Sequence, residues 1–264
     1  MNRCCPRDRD SIPLGSERNS KGLFPVGPTV LAIDLHTHTR FFHGHRRLGD
    51  RFDPVGLRLL CAVADARGLD ALATTNHDYY RAFDRSDLPV ALIPGIEVSS
   101  TRGHVLVVGP NPPKETIPET LEPEHVVEIA HDRGCAAIIA HPYRGSTVRE
   151  VEAPYDAIEV NGKHPRTREW ATRLAHERDL PVTGGSDAHY PIEVGRAYTA
   201  VDVDSPTPRN VVEAIREGRI TPRIDTRLTD RLLGRLYRQV HRGKDHLDRP
   251  DWATPGIGTP PGEE

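Results

Sequence analysis

Between Thr29 and about Glu217, apolar runs of strand length alternate with helical periodicities. Runs rich in Val, Ile, Leu and Ala predict strands over Thr29–Leu35, Leu69–Thr75, Val90–Val98, His104–Val108, Cys135–Ala140, Ala157–Val160, Pro181–Thr183 and Arg196–Val203. Helical spacing appears over Pro54–Arg67 (Leu57, Leu60, Val63, Ala64), Pro123–Arg133 (Val126, Val127, Ile129, Ala130), Arg166–Arg178 (Trp170, Leu174, Ala175) and Pro208–Glu217. Gly68, Gly134 and Gly218 follow helical segments, where a glycine favours termination. Such alternation implies a largely parallel sheet, either open or closed into a barrel. The barrel is favoured by the polar residues. His36, His38, His77, Glu97, His141, Asp187 and His189 sit at or just past the C-terminal ends of predicted strands, the rim where parallel barrels build their sites.

The two ends break the pattern. Residues 1–27 are charged and rich in Ser, Gly and Pro, and residues 243–264 end in TPGIGTPPGEE; both read as disordered. Residues 28–222 read as one domain. Over 223–242, Leu228, Leu232, Leu233, Leu236, Tyr237 and Val240 share a face, with Arg227, Arg231, Arg235, Arg238 and Arg242 around it. This predicts a basic amphipathic helix packing on the domain. A chain trimmed to 28–242 is therefore expected to behave like the full chain, whereas cutting near Thr221 should lower stability.

Composition narrows the class. At 264 residues the chain can bury a core of its own. It has no run of about 18 apolar residues, so no membrane-spanning helix is expected, and no apolar stretch near Met1 resembles a secretory signal. The net charge of −3 gives no global electrostatic case for nucleic acid, which stays possible as a partner but is not indicated. None of the four cysteines forms a CxxC pair, and Cys61 and Cys135 lie inside apolar patterns. They read as buried thiols in a reducing cytoplasm. Oligomeric state is not legible.

The 14 histidines carry the chemistry. In Asp34-Leu35-His36-Thr37-His38, positions i and i+2 of a strand point the same way. Two imidazoles on one face suit a single metal ion. Asn76-His77-Asp78, Glu97, His141 and Asp187-Ala188-His189 add further donors at equivalent strand ends, and borderline divalent metals take imidazole nitrogen together with carboxylate oxygen.

These segments resemble the PHP (polymerase and histidinol phosphatase) superfamily. The likeness rests on DLHTHT at 34–39, GLDALATTNHD at 68–78, PGIEVSS at 94–100, AHPYR at 140–144 and GGSDAHYPIEVGRAYT at 184–199, in the family's order. The resemblance implies an α/β fold, a distorted (β/α)7-type barrel, with two or three divalent metal ions (Zn, Mn, Fe or Mg) and, in many members, phosphoester hydrolysis. It implies that His36, His38, Glu97 and Asp187 hold a first ion. Glu97 would bridge to a second, completed by His104 and His141. His77 and His189 would hold a third, with His43 standing where many members have Asp and His45 as the fallback. The chain departs from the family at Asn76, where Asp is usual; an uncharged partner for a ligand there should alter metal affinity or preference.

The expected reaction is hydrolysis of a small phosphomonoester, a nucleotide or a short oligonucleotide. Metal ions that lower the pKa of water make a Ser or Cys nucleophile unnecessary, and no GxSxG, P-loop or dinucleotide fingerprint is present. Arg144, Arg102 and Lys163 are the candidates for the substrate phosphate. Asp78 would act from behind the ligands or, as we prefer, cap a turn. Two alternatives stand beside this: a PHP module kept as a scaffold without catalysis, against which the retained ligand set argues, and a C–N-cleaving metallohydrolase on a similar barrel.

Overall fold

The computed structural model describes residues 29–40, 49–84, 87–225 and Asp248. In chain order the elements are β1 (Val30–Thr37), α1 (Gly49–Ala66), β2 (Ala71–Thr74), β3 (Ala91–Ser100), β4 (Gly103–Val108), α2 (Pro123–Asp132), β5 (Ala136–Ile139), β6 (Ala157–Asn161), α3 (Arg168–Glu177), β7 (Val182–Gly185), β8 (Ala197–Asp202), α4 (Pro208–Arg216) and β9 (Ile220–Ile224). The arm at 1–27, His43 and His45, residues 226–242 of the helix expected over 223–242, whose first two residues belong to β9, and all of the tail but Asp248 lie outside the described residues.

The strands form one sheet in the order β7-β6-β5-β4-β3-β2-β1-β8-β9. Its β7 edge curls back to β1 and β8. Ala188, just past β7, bridges Thr37, and His38 N–H donates to Ala188 O at 2.9 Å. Gly184 N–H donates to Thr199 Oγ1 of β8, also at 2.9 Å. The result is a nearly closed, distorted barrel. Closure needs glycine at 184, because an added Cβ would lie 2.9 Å from the carbonyl carbon of Tyr198.

The sheet is more mixed than the alternation predicts. β1–β2–β3 and β5–β6–β7 are parallel, but β4 runs antiparallel to both neighbours, and β8 does so to β1 and β9. Thr101 and Arg102 alone join β3 to β4, and so short a link permits only a hairpin. β9 is an element the sequence pattern did not announce. Its side chains alternate between half-buried and exposed, and it carries Pro222, which an edge strand tolerates. α1 opens at Gly49, so Pro54, read as its start, lies inside it.

The core forms around the helices. Val211, Val212 and Ile215 of α4 pack with Ile33, Ile93, Leu106 and Ile138. α2 and α3 cover Ile96, Val105, Val107, Ile139 and Ile158, and α1 covers Leu72 and Leu92. Since strand side chains alternate, burying Ile33 and Leu35 this way turns Asp34, His36 and His38 to the other face.

Candidate metal centre

The centre is built from β1 outwards. Asp34 fixes the strand end: its carboxylate accepts the N–H groups of His36 (3.2 Å), Ser186 (3.0 Å) and Gly195 (2.8 Å). His36 Nδ1 lies 2.7 Å from Glu159 Oε1, and Glu159 Oε2 accepts His141 N–H at 2.9 Å. Glu159 thus sets the His36 ring and the His141 backbone. Gly185 leaves it room, since a Cβ there would collide with Glu159 Oε1 and lie 2.6 Å from His36 Cβ.

Glu97 is the hub. Its Oε2 stands 3.3 Å from His36 Nε2, 3.3 Å from His38 Nε2 and 3.0 Å from His77 Nδ1. Its Oε1 stands 2.8 Å from His104 Nδ1 and 3.0 Å from His141 Nε2. Asp187 closes another side, with Oδ1 3.4 Å from His38 Nε2 and 3.2 Å from His189 Nδ1. His141 and Asp187 take the left-handed backbone region, at φ 27° and 53°, which is costly for residues with a Cβ and typical of functional sites.

The electrostatics follow from burial and crowding. Burial alone would raise Glu97, but His77, His36 and His104 hold its carboxyl well below the usual carboxylate range. Burial would lower His36, but Glu159, Glu97 and Asp187 raise it well above the ordinary imidazole value. Burial, with His189 and His77 nearby, pushes His38 down, and burial brings His77 to about 3.

The donor set fits divalent metal ions. Nε2 of His36 and of His38, Oε2 of Glu97 and Nδ1 of His141 are buried and make no hydrogen bond. Orphaned polar atoms are costly in a dry site, and a cation would satisfy those that face the centre. Among the described residues, donor atoms converge within 4.8 Å in three overlapping sets: His36–His38–Glu97, His77–Glu97–His104 and His38–His77–His189.

The basic residues part company. Arg144 lines a cavity of about 250 Å³ beside His77, His104, His141 and His189, with Nη1 3.0 Å from Asp187 Oδ2. Arg102, expected on the phosphate, instead donates to Thr147 Oγ1 (2.7 Å) and pairs with Glu150 (3.3 Å). Lys163 extends under Asp187 and His189 and is not part of that cavity wall. Asp78 ties a turn, accepting Ser99 N–H, Ser99 Oγ–H and Thr116 Oγ1–H at φ 58°. Asn76 does not orient a ligand ring: its Oδ1 accepts Thr39 N–H at 2.9 Å and its amide donates to Thr39 Oγ1.

Glu159 and Asp34 escaped the sequence reading as framework residues. Their signal was present: each is a lone carboxylate inside an apolar strand, at a parity that puts Glu159 beside Asn161 and Asp34 beside His36.

The PHP-associated family matches residues 165–220, a stretch that holds Asp187 and His189. PsfC from Pseudomonas syringae PB-5123 shares the architecture at a TM-score of 0.61, with 21% identity over 80% of this chain and 98% of that one. The chain has the PHP fold. The resemblance carried by its motifs is borne out. A two-domain protein from Bacteroides vulgatus ATCC 8482, containing a predicted PHP-like metal-dependent phosphoesterase, superposes at a TM-score of 0.52, with 22% identity over 80% of this chain and 70% of that one. An Endonuclease Q, solved with a 27-mer duplex bearing an abasic lesion, gives 0.51, with 18% identity over 74% of this chain and 58% of that one. No curated protein matches the chain in sequence.

Proposed function

We propose that the protein is a metal-dependent hydrolase of phosphate esters. One observation carries this: the buried Glu97 carboxylate turns one oxygen to His36, His38 and His77 and the other to His104 and His141, as a ligand shared by two ions would. His36, His38, Glu97 and Asp187 would hold one ion, Glu97 with His104 and His141 a second, and His77 with His189 and His43 a third. Zn, Mn, Fe and Mg all suit nitrogen and carboxylate donors to differing degrees. Such ions, when bound, supply Lewis acidity and lower the pKa of water.

The chain's own groups do the rest. Glu159 fixes the His36 ring and the His141 backbone, and Asp34 fixes the end of β1, which spares the reaction the entropy of assembling them. Arg144 stands at the mouth with a planar guanidinium, 38% exposed, suited to a phosphoryl oxygen. His77 and His104 stand beside it at the mouth. The small cavity suits a phosphomonoester or the end of a nucleotide. Free, buried Cys61 and Cys135 agree with a reducing compartment, and we place the protein in the cytoplasm. Among the described residues no helix is long and apolar enough to cross a membrane.

A screen of nucleotides, sugar phosphates, histidinol phosphate and short RNA, with Mn or Zn supplied, tests the proposal. Hydrolysis of at least one class is expected, lost on chelation, restored by metal and absent in Glu97→Ala. If the metal-loaded protein hydrolysed none of them, the proposal would fall.

A further inference from the structure

Lys163 lies two residues past β6, and its backbone is pinned there. Its N–H donates to Asn161 Oδ1 at 2.9 Å, and Gly162 N–H donates to Gly185 O at 2.8 Å. The side chain is only 5% exposed. Its ammonium stands 2.9 Å from Asp187 Oδ1 and 2.7 Å from His189 Nδ1. Arg144 meets the other Asp187 oxygen at 3.0 Å, so both oxygens of this carboxylate face cations of the chain itself. A lysine so deeply buried persists because a carboxylate compensates its charge.

His189 adds a constraint. Its Nδ1 also lies 3.0 Å from the Asp187 backbone oxygen. One ring nitrogen cannot serve both neighbours. If Nδ1 accepts from the Lys163 ammonium, the neutral ring carries its proton on Nε2, which then has no lone pair for a metal ion. If Nδ1–H donates to the Asp187 carbonyl, Nε2 is free to bind metal, as a second partner on a ligating histidine usually ensures. In that tautomer Nδ1–H and the ammonium are two donors facing each other, and they cannot remain 2.7 Å apart.

We propose that Lys163 is a resident cation beside Asp187 and His189, holding His189 in the tautomer that cannot ligate until the last metal ion displaces the ammonium and turns the ring to the other tautomer. The proposal rests on the metal-centre reading above and gives Lys163 a competition with metal in place of a contact with substrate. Asp187 Oδ1 has a second lone pair and can serve the first ion while it still accepts from the ammonium, so metal binds at His189 more weakly than at the His36–His38–Glu97–Asp187 side. Lys163 is thus a positioning residue that limits how readily the last ion enters.

The chain has four lysines, so ammonium resonances are few enough to assign with Lys163→Met as the reference. In metal-free wild type, the buried ammonium should give a slowly exchanging signal in a nitrogen-15 spectrum. Titration with zinc should leave it in place through the first equivalent and then shift or abolish it. In calorimetric titrations, Lys163→Met should bind the last zinc about tenfold or more tightly, and its metal-free Tm should fall. If Lys163→Met does not fold without metal, Lys163→Arg, which removes the ammonium and keeps the charge, serves as the assignment reference and the wild-type zinc titration decides. Should wild type take up no zinc, the metal-centre reading itself fails. Should wild type fill with zinc while the Lys163 signal stays unchanged, the proposal is overturned. A variant that binds zinc no tighter would overturn it as well, and a raised KM for the phosphate ester would then point to a substrate contact.

Discussion

The floor and the mouth of the centre are made of the same residue types under different constraints. On the floor, the side chains of His36, Glu97, His38 and Asp187 are at most 2% exposed. Their positions are held from behind: His36 by Glu159, its strand end by Asp34, and Asp187 by Lys163. At the mouth, His77, His104 and Arg144 are 35%, 32% and 38% exposed. The two mouth histidines touch the floor through Glu97, and Arg144 does so through Asp187. The difference separates two tasks. On the proposed function, a preorganised, buried floor would hold ions at low reorganisation cost, while a solvated mouth would adapt to a substrate and contribute through charge.

Breaking the hub should collapse that distinction. Glu97→Ala removes the carboxylate that faces both donor groups and is expected to reduce turnover at least about a thousandfold, because multinuclear hydrolysis would lose both its nucleophile and its phosphate clamp. Elemental analysis should show more than one metal equivalent in zinc- or manganese-loaded wild type and at most one in the variant, with the circular dichroism spectrum unchanged. Near wild-type turnover would refute the hub assignment. Glu159→Gln acts a layer further back. It weakens the hold on the His36 ring and on His141 N–H. A loss of about 10–100-fold in zinc affinity is expected, measured by competition with a chelating dye. An unchanged affinity would mean that the floor does not need its support.

Arg144→Ala probes the mouth alone. Losing one charge-assisted hydrogen bond of about 1.5–3 kcal/mol should raise KM roughly 10–100-fold with metal content unchanged. A lost metal equivalent would place Arg144 with the floor. The smallest effect concerns the C-terminal segment, which the sequence pattern marked as dispensable. Asp248 N–H donates to Tyr143 O at 2.9 Å, and its carboxylate accepts Ser146 N–H at 3.0 Å, on the loop that presents Arg144. Ending the chain at 242, or Asp248→Ala, should cost about 1 kcal/mol of local stability, seen as faster hydrogen exchange over 143–149 with KM raised a few fold. Exchange unaltered in both proteins would restore the expectation that residues 28–242 suffice.

Most of the fold was legible because its helices and strands have strong, distinct periods. Helices over Pro123–Asp132, Arg168–Glu177 and Pro208–Arg216 fall within two residues of their predicted bounds, since apolar spacing and a following glycine or turn delimit them. β9 was missed because an edge strand with Pro222 buries too little to stand out. The motif histidines and carboxylates were identifiable because ligand chemistry restricts residue type at strand ends. The sequence by itself therefore determined the class of barrel and the donors on offer. Only the tertiary structure decided that β4 and β8 reverse direction, that Glu97 sits among five imidazoles, that Glu159 supports His36 from 123 positions away, and that Lys163 faces Asp187 instead of the cavity. Each of these depends on barrel closure and strand register, and so on packing between segments far apart in the chain, to which local periodicity is blind.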